Sequence, residues 1–590
     1  MNMQWSLKEL YESFTDKQYL DDFDRCDILI DKINSFSKSR LDNFDERESK
    51  IERILNYLID YYETYSLLRT FTFLSLSTDA RNELASKLLE KLNKKNTNIK
   101  KPMVRMQKWL ANLDNLDEII NKNTFIREHS FFLEELIEEN KYMLSEEEES
   151  LISQMKNTGS RSWTKLQQDL TSTLMVKVNL ENENKELPLP VVRNMAHDKD
   201  PSTRKRAYIA ELSAYKKIEE PVAASLNGIK GEVITTTKLR GYNSPLEKTL
   251  IDSRMDHETL QIMITAIKES LPLFRKYYRH KAKLLGHDKG LPFYDLFAPI
   301  ANANFNFTYT DARDFIVDNF RSFSPQLADY AANAFEKRWI DAKPREGKMG
   351  GAFCSNIHPI GESRILSNFT GSYSDVSTLA HELGHGYHGF CLKNESILNS
   401  DYPMPLAETA SIFCQTIVDS AAIEEADSNS ALAILENSLA DAGQVIVDIY
   451  SRYLFETKLF EMREESSLSV NELKEIMLWA QQESYGSGID KDCLHPYMWL
   501  CKPHYYEASL NFYNFPYAFG LLFAKGLYAR YQSEGESFVK EYDNILKTTG
   551  KMKITSVCSL AGIDINSIDF WRDSIAMIAE EINKFIKLSS

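Results

Sequence analysis

Residues 378–390 read TLAHELGHGYHGF and gather three of the chain's 11 histidines, with one glutamate, inside eight positions. His381, Glu382 and His385 make the pattern H-E-x-x-H. On a helix, positions i and i+4 share a face, so the two imidazoles can converge on one cation while Glu382 stands beside it as a base. The competing reading is an exposed polar helix carrying two satisfied histidines. A catalytic zinc takes three protein ligands and leaves a fourth position to water, so a third donor is needed. His388 shares the face at i+7, but three ligands on one straight helix lie nearly in line, and a tetrahedral ion needs them from different directions. His388 therefore reads as a packing or supporting residue. The metzincin pattern fails because Cys391 stands where its third histidine belongs.

A better third donor lies downstream in YPMPLAETASIFCQTI. Pro403 and Pro405 end a loop, and a helix is expected from about Leu406 with Glu408 in its first turns. Its neighbours Ala407, Thr409, Ala410 and Ser411 are small, which lets that helix approach the first one closely. The alternative is that Glu408 merely places a negative charge at a helix N-terminus. Together His381, His385 and Glu408 make the His2Glu set of catalytic zinc hydrolases. Gly384, Gly386 and Gly389 each cost a helix about 1 kcal/mol relative to alanine. Close approach of another backbone or of a substrate would explain all three.

The elements that must hold these residues are mostly helical. IERILNYLIDYYETYSLLRTF places Ile51, Ile54, Leu55 and Leu58 on one stripe. LSEEEESLIS opens a helix with Ser145 as N-cap and Glu148 in the capping-box position. Long helices are expected over residues 200–285, with breaks at GYNSP (241–245) and LGHDKG (285–290). The polar, proline-punctuated ENENKELPLP (181–190) marks the expected boundary between an N-terminal helical subdomain, 1–190, and a catalytic domain, 191–590. Strand signals are confined to GGAFCSNI (350–357) and ESRILSNFT (362–370), joined by HPIG. One small sheet thus directly precedes the histidine-rich helix.

The bulk properties limit the classes of function. At 590 residues the chain exceeds one ordinary compact domain. A 43% hydrophobic and 26% charged composition is that of a soluble globular protein. The net charge of −16 argues against a nucleic-acid or anionic-membrane partner. The start, MNMQWSLKELYESF, has neither a basic n-region nor an apolar core, and no apolar run reaches bilayer length. Seven scattered cysteines without a CxxC pair suit a reducing compartment, so the expected location is the cytoplasm.

Five stretches together resemble the thimet oligopeptidase/oligoendopeptidase F family of zinc metallopeptidases, on the oligoendopeptidase F side: GKMGGAF (347–353), DVSTLAHELGHGYH (375–388), AETASIF (407–413), KPHYYEASLNFYNFPYAFGLLF (502–523) and, less distinctively, LNGIKGEVITTTKLRGYNSPLEKTL (226–250). The resemblance reaches most of the chain beyond about residue 200. It implies a mostly α, two-lobed gluzincin-type fold with one small β-sheet beside the zinc helix and a deep substrate channel. It implies one Zn2+ per chain on His381, His385 and Glu408, although manganese or cobalt suits the same donors. Glu382 would take a proton from water and pass it to the leaving amine. His504 and Tyr517, then Tyr513, would hold the substrate carbonyl. Gly350, Gly351, Ala352 and Phe353 would form an edge along which a peptide lies extended.

The implied activity is endopeptidase cleavage of short unstructured oligopeptides by a monomer or weak homo-oligomer. A peptidyl-dipeptidase or carboxypeptidase would use the same chemistry but clamp a free C-terminus, for which Arg338, Arg345 and Lys348 are candidates. A peptide-binding protein that no longer catalyses is the alternative from another class. The absence of a G-x-M-E-N amine-recognition element weakens an exopeptidase reading.

Overall fold

A computed structural model of the chain describes residues 1–180, 183–301 and 306–590. Helices carry most of them, and the chain folds into two compact units, each assembled from three separate segments. Among the described residues no helix is long and apolar enough to cross a membrane.

The first unit comprises Met1–Met143, Phe305–Ala421 and Arg530–Ile563. Its helix α1 (Arg47–Thr78) buries Ile51, Ile54, Leu55 and Leu58, as their spacing implies, and the stripe runs on through Tyr61, Leu68 and Leu74. A three-stranded sheet follows: β1 (Ile340–Asp341), β2 (Phe353–Ile357) and β3 (Glu362–Leu366). Strands β2 and β3 are antiparallel about the expected turn, where Gly361 takes a left-handed φ of 63°. The order is β1-β3-β2, so β2 is an edge strand with one paired side. Helix α1 supports that edge: the Phe73 and Phe353 rings lie 5.4 Å apart, and Met349 N donates to Ser77 O at 2.8 Å.

Helix α2 (Tyr373–Leu392) carries the H-E-x-x-H pattern and packs on β2 and β3. Its start is fixed by a capping box between Ser372 and Asp375, and Asp375 Oδ2 also accepts from the Thr370 and Gly371 amides at 2.8 and 3.0 Å. Two helices follow, α3 (Met404–Ala407) and α4 (Thr409–Glu425). At Gly384 a Cβ would lie 2.4 Å from Ala410 O and 2.6 Å from Ser411 Cα, so α2 and α4 touch backbone to backbone there. A Cβ on Gly389 would meet Asn356 of β2 at 2.3 Å, and one on Gly386 would meet the Tyr330 hydroxyl at 2.0 Å. The three helix-weakening glycines are thus sites of close approach.

The second unit comprises Leu144–Asn304, Ala422–Ala529 and Asp564–Ser590. Ser145 and Glu148 form their reciprocal capping box at the head of Glu146–Thr158. Helices Glu219–Arg240 and His257–Leu284 end at the two expected breaks, Gly241 closing the first of them at φ 87°, whereas Pro201–Tyr215 ends before Lys216, where no break was expected. The expectation of a single small sheet is corrected here. A hairpin pairs Met175–Leu180 with Glu183–Pro188, antiparallel, where a proline-punctuated connection was expected. Its second strand is exposed almost throughout, so it lacks the apolar alternation that announces a half-buried strand; Val176 and Val178 of the first strand carry the burial. Residues 181 and 182 of that stretch lie outside the described residues.

The contact at Gly384 has a measurable consequence. Alanine should improve a helix interior by about 1 kcal/mol, yet here its methyl meets backbone that cannot swing aside. Gly384→Ala is expected to destabilise the protein by about 1–3 kcal/mol in denaturant unfolding. Gly350→Ala, whose Cβ would have nothing within 4 Å, should stay within about 0.5 kcal/mol of the parent.

Candidate metal centre

Helix α2 presents His381 and His385 one turn apart on the side that faces the α3–α4 junction. Their rings are edge to face at 4.9 Å. Glu408 does not sit inside the first turns of a helix. It caps α3, with φ −88° and ψ 3°, and α4 begins at the next residue. The backbone contact at Gly384 brings this junction to the histidines. His381 Nε2 lies 3.3 Å and His385 Nε2 3.5 Å from Glu408 Oε2, and the three donors form a group with all ligand atoms within 4.8 Å of one another.

The donor set fits a tetrahedral divalent ion. Zinc–nitrogen and zinc–oxygen bonds of about 2.0–2.2 Å at tetrahedral angles hold neighbouring ligand atoms about 3.3–3.5 Å apart, and the two His–Glu separations fall in that range. The outer partners point the same way. Gln415, on α4, places Oε1 3.1 Å from His381 Nδ1. His385 has a backbone hydrogen bond to Ala407. An acceptor at Nδ1 leaves the Nε2 lone pair free for a cation. Ser411 donates its hydroxyl to Glu408 Oε2 at 2.8 Å, and Asp419 Oδ1 accepts from Tyr373 (2.6 Å) and Ser377 (2.9 Å), tying α4 to the start of α2.

Charge in the cluster is strongly redistributed. Burial raises the Glu408 carboxyl, but the His381 hydrogen bond and both imidazoles outweigh it and hold the group down at about 2. Burial and the neighbouring His381 push His385 down to about 4. His381 is opposed by burial yet raised by Glu408. Glu382 is raised to about 7, first by burial and then by the Glu408 charge, against the pull of His381. Its carboxylate has no hydrogen-bond partner among the described residues, which leaves its oxygens open to a proton from outside the protein.

His388 is fully buried; its Nε2 lies 2.8 Å from Thr549 Oγ1 and its ring stacks on Tyr402 at 4.0 Å. It is a packing residue, not part of the donor group. Phe353 begins the edge strand β2, with Gly350, Gly351 and Ala352 leading into it; a Cβ on either glycine would meet nothing within 4 Å, and Asn368 Nδ2 donates to the Gly351 carbonyl at 3.0 Å.

His504, Tyr513 and Tyr517 belong to the second unit. The His504 and Tyr513 rings stack at 5.2 Å, and Tyr513 meets Tyr517 edge to face at 5.6 Å. All three are half-exposed, whereas Tyr505 and Tyr506 are buried in the same stretch. A buried ion pair holds the loop before Tyr513. Lys230 Nζ lies 2.7 Å from Glu456 Oε1 and 2.9 Å from Asn511 Oδ1, and Glu456 Oε2 accepts from Phe512 N at 3.0 Å. Phe512 is thereby kept at φ 52°, a conformation that bulky residues rarely adopt. Sequence reasoning missed Gln415, Asp419 and the Lys230–Glu456 pair. Gln415 could have been found as the polar residue seven positions beyond Glu408, in the second turn of the helix that follows it. The pair joins positions 226 residues apart and leaves no local signal.

Residues 194–577 match the family model described as Peptidase family M3, and residues 111–175 match that described as Oligopeptidase F. The chain is 26% identical to the chromosomal oligoendopeptidase F of Lactococcus lactis subsp. cremoris over 388 residues, 65% of this chain and 64% of that protein, just under two thirds of its length. It is 22% identical to oligopeptidase PepF of Bacillus subtilis over 593 residues, covering 99% of this chain and 87% of that protein. The solved structure of oligoendopeptidase-F from Enterococcus faecium superposes with a TM-score of 0.70 at 16% identity, covering 97% of this chain and 99% of that one. With one family model spanning well over half of its 590 residues, the chain belongs to Peptidase family M3, on its oligoendopeptidase F side, and is a metallopeptidase.

Proposed function

We propose that the protein is a zinc-dependent endopeptidase that hydrolyses internal bonds of short unstructured oligopeptides in the cytoplasm. The observation that carries this reading is the convergence of His381, His385 and Glu408 beside a buried, hydrogen-bond-free Glu382. When bound, zinc supplies the Lewis acidity that lets water ionise near neutral pH. Glu382 accepts the water proton and delivers it to the departing amine. His504 and Tyr517, with Tyr513 next, donate hydrogen bonds to the substrate carbonyl as negative charge grows on it. The segment Gly350–Ala352 and the edge strand that begins at Phe353 offer main-chain hydrogen bonds that ignore side-chain identity, which suits a broad peptide substrate. Residues 191–590 act as the catalytic domain and 1–190 as an N-terminal helical subdomain, a functional division that cuts across the two compact units. The seven cysteines are all free, in keeping with a reducing compartment.

Clamping of a free C-terminus by the cations upstream of the edge strand is not favoured. Arg345 and Lys348 both pair with the buried Asp341, and Arg338 donates to the Gln4 carbonyl at 3.1 Å. The intact ligand–base set likewise disfavours a non-catalytic peptide-binding protein.

Unstructured peptides of about 5 to 40 residues, incubated with zinc-replete protein and read by mass spectrometry, should show internal cuts confined to the shorter members. Glu382→Gln should retain zinc and lose cleavage by at least about 10²-fold, the scale of a general base. Products released only as dipeptides or single residues from C-termini would replace the endopeptidase reading, and an uncut ladder would refute hydrolysis altogether.

The Gln415 contact makes a separate prediction. Gln415→Leu should weaken zinc binding about 10- to 100-fold, measured by competition with a chromogenic chelator, with Gln415→Glu restoring it.

A further inference from the structure

The second unit contains a cavity of about 410 Å³, a volume in the range of small-ligand sites. Its wall is built from the segment Leu189–His197, one face of Pro201–Tyr215, the Phe293–Phe297 turn, the segment Gln444–Asp448 and the stretch His495–Lys502. Gln444–Asp448 winds as a π-helix, a rare conformation that recurs at functional sites.

The charges around this cavity do not cancel. Arg204 is buried and paired with Asp295 at 2.6 Å. Arg193 meets Glu211 at 3.3 Å through Nε. Asp448 is paired with Arg452. Lys502 remains. Its ammonium makes no ion pair or hydrogen bond among the described residues, although it is only half-exposed and borders the cavity. Burial and the nearby Arg452 press it toward the neutral amine, opposed only in part by the Asp448 carboxylate, which is itself paired with Arg452. On the wall of the same cavity, Arg204 Nη2 is a buried donor with no partner. The buried Lys230, Lys281 and Lys348 each have a carboxylate, and the buried Lys50 is held by Asn43; Lys502 has neither kind of partner. An unpaired ammonium at the edge of a cavity is costly to fold and is expected where a ligand completes it.

The accounting identifies the ligand's chemistry. One uncompensated positive charge matches one monoanion. A phosphate dianion would leave a surplus negative charge close to Glu211 and Asp448. Phe293, Tyr294 and Phe297 line the cavity as well, giving an apolar wall for a side chain next to the anion. A carboxylate with an adjacent apolar side chain is the C-terminal residue of a peptide. We propose that this cavity binds the free C-terminal carboxylate of a short peptide, with Lys502 as its charge partner and Arg193 beside it. The identity of the ligand as a peptide rests on the peptidase reading; the unpaired cation and its cavity do not.

The test is an equilibrium one, so that it succeeds or fails independently of cleavage. Full-length Glu382→Gln protein is titrated calorimetrically with an acetylated pentapeptide ending in phenylalanine, as the free acid and as the C-terminal amide, and with 3-phenylpropionate. The free acid should bind at least about tenfold more tightly than the amide, as expected for a charge-assisted contact. Adding Lys502→Met should abolish that preference, and Lys502→Arg should restore it. The Lys502→Met protein should melt no lower than its parent, because a half-exposed ammonium without a counter-ion has been removed, which separates loss of binding from loss of fold. Equal binding of acid and amide, or a preference that survives Lys502→Met, would overturn the proposal. Displacement of the peptide by 3-phenylpropionate at equal affinity would overturn the assignment to a peptide terminus in favour of a free small carboxylate. If the free acid binds as described while the wild type cuts no peptide, the cavity stands and the peptidase reading alone falls.

Discussion

The candidate site depends on one steric fact: nothing larger than hydrogen fits on the Cα of residue 384. With Gly384 against the backbone of Ala410 and Ser411, helices α2 and α4 are in direct main-chain contact, and the turn between α3 and α4 is carried up to the imidazoles of α2. Only then can one oxygen of Glu408 stand about equally near two histidine nitrogens that belong to a different helix. The remaining contacts refine that placement. Asp419 ties α4 to the first turns of α2, Gln415 orients His381, and Asn356 of the edge strand donates to the His385 carbonyl at 3.2 Å, so hydrogen bonds link the sheet, the helix and the donor set. Rigid outer support of this kind holds metal ligands in the geometry a cation requires.

The same glycines explain an apparent contradiction in the helix. A stretch with three glycines in six residues is a poor helix by propensity, and α2 nevertheless runs unbroken from Tyr373 to Leu392. Tertiary packing outweighs propensity here, because each glycine admits a neighbour: α4 at Gly384, Tyr330 at Gly386 and Asn356 at Gly389. Local weakness is exchanged for contact with three surrounding elements, and those contacts position the chemistry.

How much of this was legible follows from the range of each signal. The donor group, the helix that carries it, the two strands before it and the breaks near residues 241 and 285 are all written in short-range patterns: i, i+4 spacing, alternation, caps and glycine. Glu408 was legible as a donor from its small neighbours, but its place at a junction between helices was not, because two prolines at positions 403 and 405 permit either a loop or a first turn. The hairpin at 175–188 was missed because its exposed second strand has no buried face to betray it. Gln415, Asp419 and the Lys230–Glu456 pair act through space, and a single sequence records no long-range pairing.

Buried charges in the second unit separate into two kinds by what completes them. Lys230 with Glu456 and Lys281 with Glu436 are closed within the protein; each ion has its counter-ion, and the Lys230 pair is used to hold a strained loop. Such pairs add little net stability over apolar residues of the same volume, but they fix geometry, since removing one partner strands the other. Lys502 is of the other kind. It is half-exposed rather than fully buried and has no counter-ion, so folding alone leaves its electrostatic cost standing. A protein that satisfies its other buried lysines and leaves this one open, at the mouth of a cavity with an apolar wall, has placed the missing half of an ion pair outside its own chain.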